Sequence, residues 1–199
     1  MPSINKKAEL RLQLRAKRQA IPLAARTTAT DRLCANACQL PDFQTATHIA
    51  MYWPHDDEID CIPLLQQALT LGKQCYLPVL CLKTRQTLAF AAYTRQTLLV
   101  SNHYGILEPE IGYSNIIAIT DLDLIFVPLV GFDDHGNRLG MGGGFYDTAL
   151  ADLAMLAPEQ RPKLVGLAYS CQKIANIPTE GWDWPLDMVI TEVETLILN

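Results

Sequence analysis

Asp123-Leu124-Ile125-Phe126-Val127-Pro128-Leu129 is followed, after a short polar stretch, by Arg138-Leu139-Gly140-Met141-Gly142-Gly143-Gly144-Phe145-Tyr146-Asp147. The first segment is apolar throughout after Asp123 and too short to stand as a helix, which predicts a strand buried on both faces. The second places four glycines just before a segment with helical spacing, predicted to be a helix over Phe145–Leu156. A buried strand leading through a glycine loop into a helix is the unit of an open α/β sheet.

Working outward, Leu164–Tyr169 and Met188–Thr191 read as two further strands, the second as the last in the chain. Upstream, the apolar run His48–Trp53 is a strand closed by Pro54, with Pro54–Glu58 as its exit loop. Cys61–Leu71 has helical spacing and stops at Gly72, and Lys73–Leu77 is a strand stopped by Pro78. Thr87–Tyr93 is another strand. At the N-terminal end, Leu10, Leu14 and Ile21 define the seam of a helix over Lys6–Gln19, and Pro22 restarts a second helix that ends near Leu40-Pro41. Strands alternating with helices predict an α/β three-layer fold, a mostly parallel sheet with helices on both faces. At 199 residues one domain spanning the whole chain is expected. Ligands in such sheets sit beyond the carboxyl ends of the strands, here the loops after Trp53, Leu129 and Tyr169.

Composition narrows the function. A formal net charge of −5 argues against nucleic acid or an anionic membrane as the main partner. The charged N-terminal segment has no apolar stretch of the export type, so a cytoplasmic protein, monomeric or weakly self-associating, is expected. Cys34, Cys38, Cys61, Cys75, Cys81 and Cys171 form no C-x-x-C pair and read as reduced thiols. His48, His55, His103 and His135 are too scattered to spell a metal site.

The glycine loop carries the chemistry. Without Cβ atoms its backbone can take positive φ and approach a ligand, its N–H groups converge, and a following helix adds partial positive charge; phosphates are what such a loop binds. The P-loop pattern G-x-x-x-x-G-K-[ST] is not present, and G-x-G-x-x-G breaks because Phe145 stands where the third glycine would be. A plain hairpin loop is the alternative on glycines alone. Arg138 before the loop, able to hold phosphate oxygens bidentately, and Asp147 after it, able to hold magnesium, favour a nucleotide.

The stretch V-P-x-x-x-F-D-x-x-G-x-R-L-G-x-G-G-G-F-Y-D, from Val127 to Asp147, resembles the signature of the 5-formyltetrahydrofolate cyclo-ligase family. Lys7 and Arg11 in K-x-x-x-R, Glu58, Gly105-Ile106-Leu107-Glu108-Pro109, Ile177-Pro178, Asp183, Asp187 and Thr191-Glu192 extend the likeness in the same order. The resemblance implies a ligase of one-carbon metabolism that uses Mg-ATP to close 5-formyltetrahydrofolate into 5,10-methenyltetrahydrofolate. It implies ATP contacts from Lys7, Arg11, Arg138, Leu139, Gly140, Met141, Gly142, Gly143, Gly144, Phe145 and Tyr146, with Arg138 and Tyr146 catalytic. Substrate contacts would come from Trp53, Glu58, Met141 and Phe145, and magnesium would be held by Asp147 and Asp183. Phe145 replaces the first of a common tyrosine pair, and Met141 stands where many members carry a basic or aromatic residue. A non-catalytic nucleotide- or folate-binding protein on the same scaffold is the rival reading.

Outside the resemblance the residues suggest blander roles. Lys7, Arg11, Arg15 and Arg18 form a stripe beside the seam of the first helix, of which Arg15 and Arg18, with Lys17, read as surface charge. Glu58, taken alone, reads as a solvent-facing or capping carboxylate. Asp187 reads as an anchor for the loop before the last strand, and Trp182 and Trp184 as packing residues.

Overall fold

A computed structural model describes residues 2–81, 87–110 and 115–198, with side chains from residue 6 onward. Its centre is an eight-stranded sheet in the order β12-β11-β10-β7-β1-β2-β3-β6. The strands are β1 (His48–Ala50), β2 (Gln74–Cys81), β3 (Thr87–Tyr93), β6 (Ile116–Ile117), β7 (Leu124–Pro128), β10 (Lys163–Leu167), β11 (Met188–Ile190) and β12 (Thr195–Ile197). From β11 through β10, β7 and β1 to β2 every pairing is parallel. Antiparallel strands β12, β3 and β6 finish the two edges. The predicted mostly parallel sheet is therefore present.

Alternate residues of each strand feed opposite cores, as the period of two requires. Ile49, Leu77, Leu124, Phe126, Val165 and Leu167 meet Leu33 and Ala37 of α2 (Leu23–Cys38), Phe43 of α3 (Pro41–Thr45) and Leu64, Leu65 and Ala68 of α4 (Ile62–Thr70). On the other face Ala50, Tyr76, Ile125, Val127, Leu164 and Val189 meet Leu150 of α5 (Phe145–Leu150) and Leu153 of the 3₁₀ turn that follows. Helix α1 (Pro2–Gln19) inserts Leu14 between Val130, Leu139 and Ile177, the start of a third, smaller core. Helices therefore cover both faces.

Several element boundaries differ from the sequence expectations. Pro78 does not stop its strand: β2 continues through it, with Pro78 opposite Phe90 of β3. Paired residues of β1 reach only to Tyr76, so Pro78 sits where β2 has become an edge on that side and no ladder donor is lost. Trp53 lies beyond β1, which ends at Ala50. Met188–Ile190 is not the last strand, because the chain turns at Thr191 and adds β12. The helix expected over Phe145–Leu156 is α5 only to Leu150, then a 3₁₀ segment over Ala151–Met155. Two hairpins went unread: β4 (Leu99–Ser101) with β5 (Leu107–Pro109), and β8 (Gly131–Phe132) with β9 (Arg138–Leu139). Among the described residues no helix is long and apolar enough to cross a membrane.

Candidate active site

A cavity of about 480 Å³ opens beyond the carboxyl ends of β1 and β7, the place expected for an open α/β sheet. Three layers of structure build it: the Trp53–Glu58 loop, the glycine loop, and the face of α1 that carries Lys7, Arg11 and Arg15. The β4–β5 hairpin roofs it. Glu108 holds that roof in place by accepting hydrogen bonds from Leu80 N at 3.1 Å and Asn102 Nδ2 at 3.0 Å. At the hairpin tip, Tyr104 meets Phe145 edge to face, with ring centroids 5.9 Å apart.

Arg138 enters the cavity from β9 because the turn before it is rigid. Asp133 is fully buried, and its carboxylate accepts from His135 N, Asn137 N, Asn137 Nδ2 and Ile177 N. Burial pushes the Asp133 pKa up, but these hydrogen bonds, led by that from the Asn137 side chain, outweigh it and hold the group below its ordinary value. The Arg138 guanidinium is largely buried and donates to Asp147 Oδ1 and to the Trp184 carbonyl. Burial lowers its pKa, opposed by the charges of Asp147 and then Asp183.

Lys7 and Arg11 reach the other side of the loop. Lys7 Nζ donates to Asp183 Oδ2 at 2.7 Å, and Arg11 Nε donates to the Gly140 carbonyl at 2.7 Å. Asp183 also accepts from Glu180 N at 2.8 Å, which fixes its turn. Burial and the neighbouring charge of Arg15 lower the Arg11 pKa, while Asp183 opposes them, so an anion bound beside these cations would relieve their strain. Gly142 has φ +105, and a Cβ there would stand 3.4 Å from the Arg11 guanidinium carbon. Since α5 has only six residues, its macrodipole is smaller than the sequence suggested. The positive potential comes mainly from Lys7, Arg11, Arg15 and Arg138.

The deep end is apolar and acidic. Trp53 lies edge-on to Tyr93 at 6.3 Å. Glu58 is 9% exposed, not solvent-facing, and its carboxylate accepts from His55 N at 3.1 Å. Burial raises its pKa to about 7; the hydrogen bond from His55 and the charges of Arg18 and Arg15 pull the other way. The Tyr146 hydroxyl is buried without a hydrogen-bond partner among the described residues. Its pKa is raised, first by burial and then by the charges of Glu58 and Cys61, so it remains a neutral donor.

All of the residues to which the resemblance gave an ATP, substrate or magnesium contact line this one cavity: Lys7, Arg11, Trp53, Glu58, Arg138, the loop from Leu139 to Gly144, Phe145, Tyr146, Asp147 and Asp183. The family model for the 5-formyltetrahydrofolate cyclo-ligase family matches residues 3–192. The chain belongs to that family. The 5-formyltetrahydrofolate cyclo-ligase of Haemophilus influenzae is 38% identical over 183 residues, covering 91% of this chain and 95% of that protein. The cyclo-ligase of Escherichia coli K12 is 34% identical over 178 residues, 89% of this chain and 96% of its own. Among solved structures, the Aquifex aeolicus 5,10-methenyltetrahydrofolate synthetase superposes with a TM-score of 0.81 at 30% identity, covering 97% of this chain and 93% of that one. A Mycoplasma pneumoniae 5,10-methenyltetrahydrofolate synthetase shares the fold, with a TM-score of 0.72 at 24% identity.

Other residues of the cavity were given no site role from the sequence, Arg15 being read as surface charge and Trp182 as a packing residue. Arg15, His55, Asn102, Tyr104, Glu108 and Trp182 all line it. Glu108 and Ile106 fall within a quoted family motif, which was the available signal. Trp182 is 71% exposed at the cavity, not packed in a core, while Trp184 packs at the edge of the second core with Arg161 over its ring. Arg18 is no surface charge: it is 1% exposed. Asp187 does anchor its loop, accepting from Leu164 N at 2.8 Å.

The carboxylates Asp147 and Asp183 suit a magnesium ion that arrives with a phosphate chain. Such an ion takes one or two protein carboxylates and completes its octahedron with phosphate oxygens and water. Among the described residues no group of three or more His, Cys, Asp or Glu side chains gathers.

Proposed function

We propose that the protein uses Mg-ATP to convert 5-formyltetrahydrofolate into 5,10-methenyltetrahydrofolate, releasing ADP and phosphate. The observation that carries this reading is the polarity of the cavity. One end gathers Lys7, Arg11 and Arg138 around the glycine loop; the other joins the Trp53 indole, the Glu58 carboxyl and the unpartnered Tyr146 hydroxyl. A triphosphate suits the first, and a reduced pterin with its N–H donors and flat ring suits the second.

The chemistry requires both ends at once. N10 of the folate must attack the N5-formyl carbon and expel its oxygen, a poor leaving group. Transfer of the γ-phosphoryl group to that oxygen makes it one: the P–O bond to ADP breaks and a P–O bond to the formyl oxygen forms; N10 then bonds to the formyl carbon and gives up its proton, and the C–O bond breaks as phosphate leaves. Arg138, Lys7 and Arg11 neutralise the charge on the transferring group and hold it in line with the formyl oxygen. Asp147 and Asp183 are the carboxylates that would hold magnesium, which when bound would supply further neutralisation of the phosphate oxygens. Phe145 and Tyr104, in edge-to-face contact, stand over this part of the cavity, where bound substrates would leave less room for water that competes for the phosphoryl group. Tyr146, kept protonated, supplies a hydrogen bond where the two substrates meet.

Mixing the protein with 5-formyltetrahydrofolate and Mg-ATP and following the ultraviolet absorbance of the methenyl product tests the reading. Product formation that stops on chelation of magnesium is expected. Binding of both substrates without product would overturn the catalytic assignment in favour of a binding protein.

A further inference from the structure

The loop that carries Glu58 is held in an unusual conformation. Asp56 and Asp57 have φ +49 and +61, successive left-handed residues, and Glu58 N closes the turn by donating to the His55 carbonyl at 3.0 Å. This is a turn of the I′ kind, for which Asp is tolerated but glycine or asparagine fits better. Arginines hold it from two helices. Arg18 Nη2 donates to the Asp56 carbonyl and to Asp56 Oδ2 at 3.2 Å, and Arg15 Nε lies 3.6 Å from the same Oδ2. Arg26 of α2 pairs with Asp57 and also donates to Ile21 O at 2.9 Å and Gln19 O at 3.1 Å, which ties the turn to the end of α1.

Arg18 is the anomaly in this group. It is 1% exposed, yet its Nε and Nη1 have no hydrogen-bond partner among the described residues. A buried cation satisfied at one end serves packing poorly, and a hydrocarbon of similar length would serve it better. Among the described residues its side-chain hydrogen bonds go to Asp56, two residues before Glu58. The Arg18 and Arg15 charges are also felt at the Glu58 carboxyl, where they oppose its desolvation.

We propose that Arg18 is a positioning residue for the folate end of the cavity: by locking the strained Asp56-Asp57 turn against α1 it holds the Glu58 carboxyl in the cavity wall. This rests on the reading of Glu58 as a pterin contact. It makes the N-terminal helix serve both substrates, with Lys7 and Arg11 facing the phosphates while Arg18, on the same helix, sets the folate loop.

The test is a double-mutant cycle with Arg18→Met, Glu58→Gln and the pair, measuring KM separately for 5-formyltetrahydrofolate and for ATP. Arg18→Met is expected to raise the folate KM by about tenfold and leave the ATP KM unchanged, and to add nothing further in the Glu58→Gln background. Full additivity of the two substitutions, or an equal effect on both substrates, overturns the proposal while leaving Glu58 a substrate contact. A normal folate KM in Glu58→Gln alone overturns the reading of Glu58 and the positioning role with it. If Arg18→Met does not fold, Asp56→Asn carries the same cycle, since asparagine keeps the left-handed turn but removes the carboxylate that Arg18 grips.

Discussion

The Arg138 guanidinium and the Asp147 carboxylate form an ion pair across the two ends of the glycine loop. The loop is thereby closed on itself, and its two charged flanks stand together in the cavity wall rather than splaying apart. A magnesium-bound triphosphate would exchange this internal pairing for two external ones, phosphate on the arginine and cation on the carboxylate. The chain thus keeps each charge compensated before the nucleotide arrives.

Replacing Arg138 with Ala is expected to lower kcat by about 10²–10³-fold, the usual cost of removing one electrostatic donor from a transferring group. Arg138→Lys keeps a charge but cannot bridge Asp147 and the Trp184 carbonyl at once, and should fall between wild type and Ala. Steady-state kinetics alongside thermal melts checks this; near-normal turnover in a folded Arg138→Ala protein sinks the assignment of the loop.

Lys7→Gln removes a cation that pairs with Asp183 at 2.7 Å and faces the glycine loop. The ATP KM should rise by about tenfold with little change in the folate KM. A rise in the folate KM instead would mean that the two ends of the cavity are assigned the wrong way round.

Glu58 gives a pH dependence of definite sign. Its folded-state pKa of about 7 lies above the ordinary 4.5, so between these values the folded protein keeps a proton that the unfolded chain has released. Stability therefore declines as pH rises from about 4.5 to about 7 and levels off above, by an amount on the order of 3 kcal/mol if this group acted alone. Glu58→Gln should remove that decline, gaining on the wild type from pH 5 to pH 8 in urea unfolding. Parallel curves for the two proteins would show that the carboxyl is not desolvated.

Gly142 combines φ +105 with close approach of the Arg11 guanidinium, so Gly142→Ala should strain the loop and displace Arg11 together. The ATP KM is expected to rise by about tenfold or more, while the melting temperature moves little because the loop is exposed. Isothermal titration with ADP reads the same loss without turnover.

The legible part of the site was the part encoded locally. Arg138, the glycines and Asp147 lie within one short stretch whose spacing limits what their backbone can do, so their meeting did not depend on distant packing. Buried strands such as Leu124–Pro128 were equally plain, because a strand covered on both faces must be apolar at every position. The hairpin roof was not legible: Leu99–Ser101 and Leu107–Pro109 are too short and too mixed to announce strands, and they gain their order from Glu108 gripping Leu80 and Asn102.

Sequence by itself determined the five parallel strands of the sheet with β3 beside them, the glycine loop and the family pattern, since these depend on residues close in the chain and on the period of the backbone. Tertiary structure alone decided that Glu58 is buried with a raised pKa, that Arg18 is interior rather than solvated, and that Pro78 lies past the end of the β1 pairing. Burial and its electrostatic consequences are properties of surfaces brought together from far along the chain. A charged residue in a loop or on a helix carries no local mark of whether another element will come to cover it.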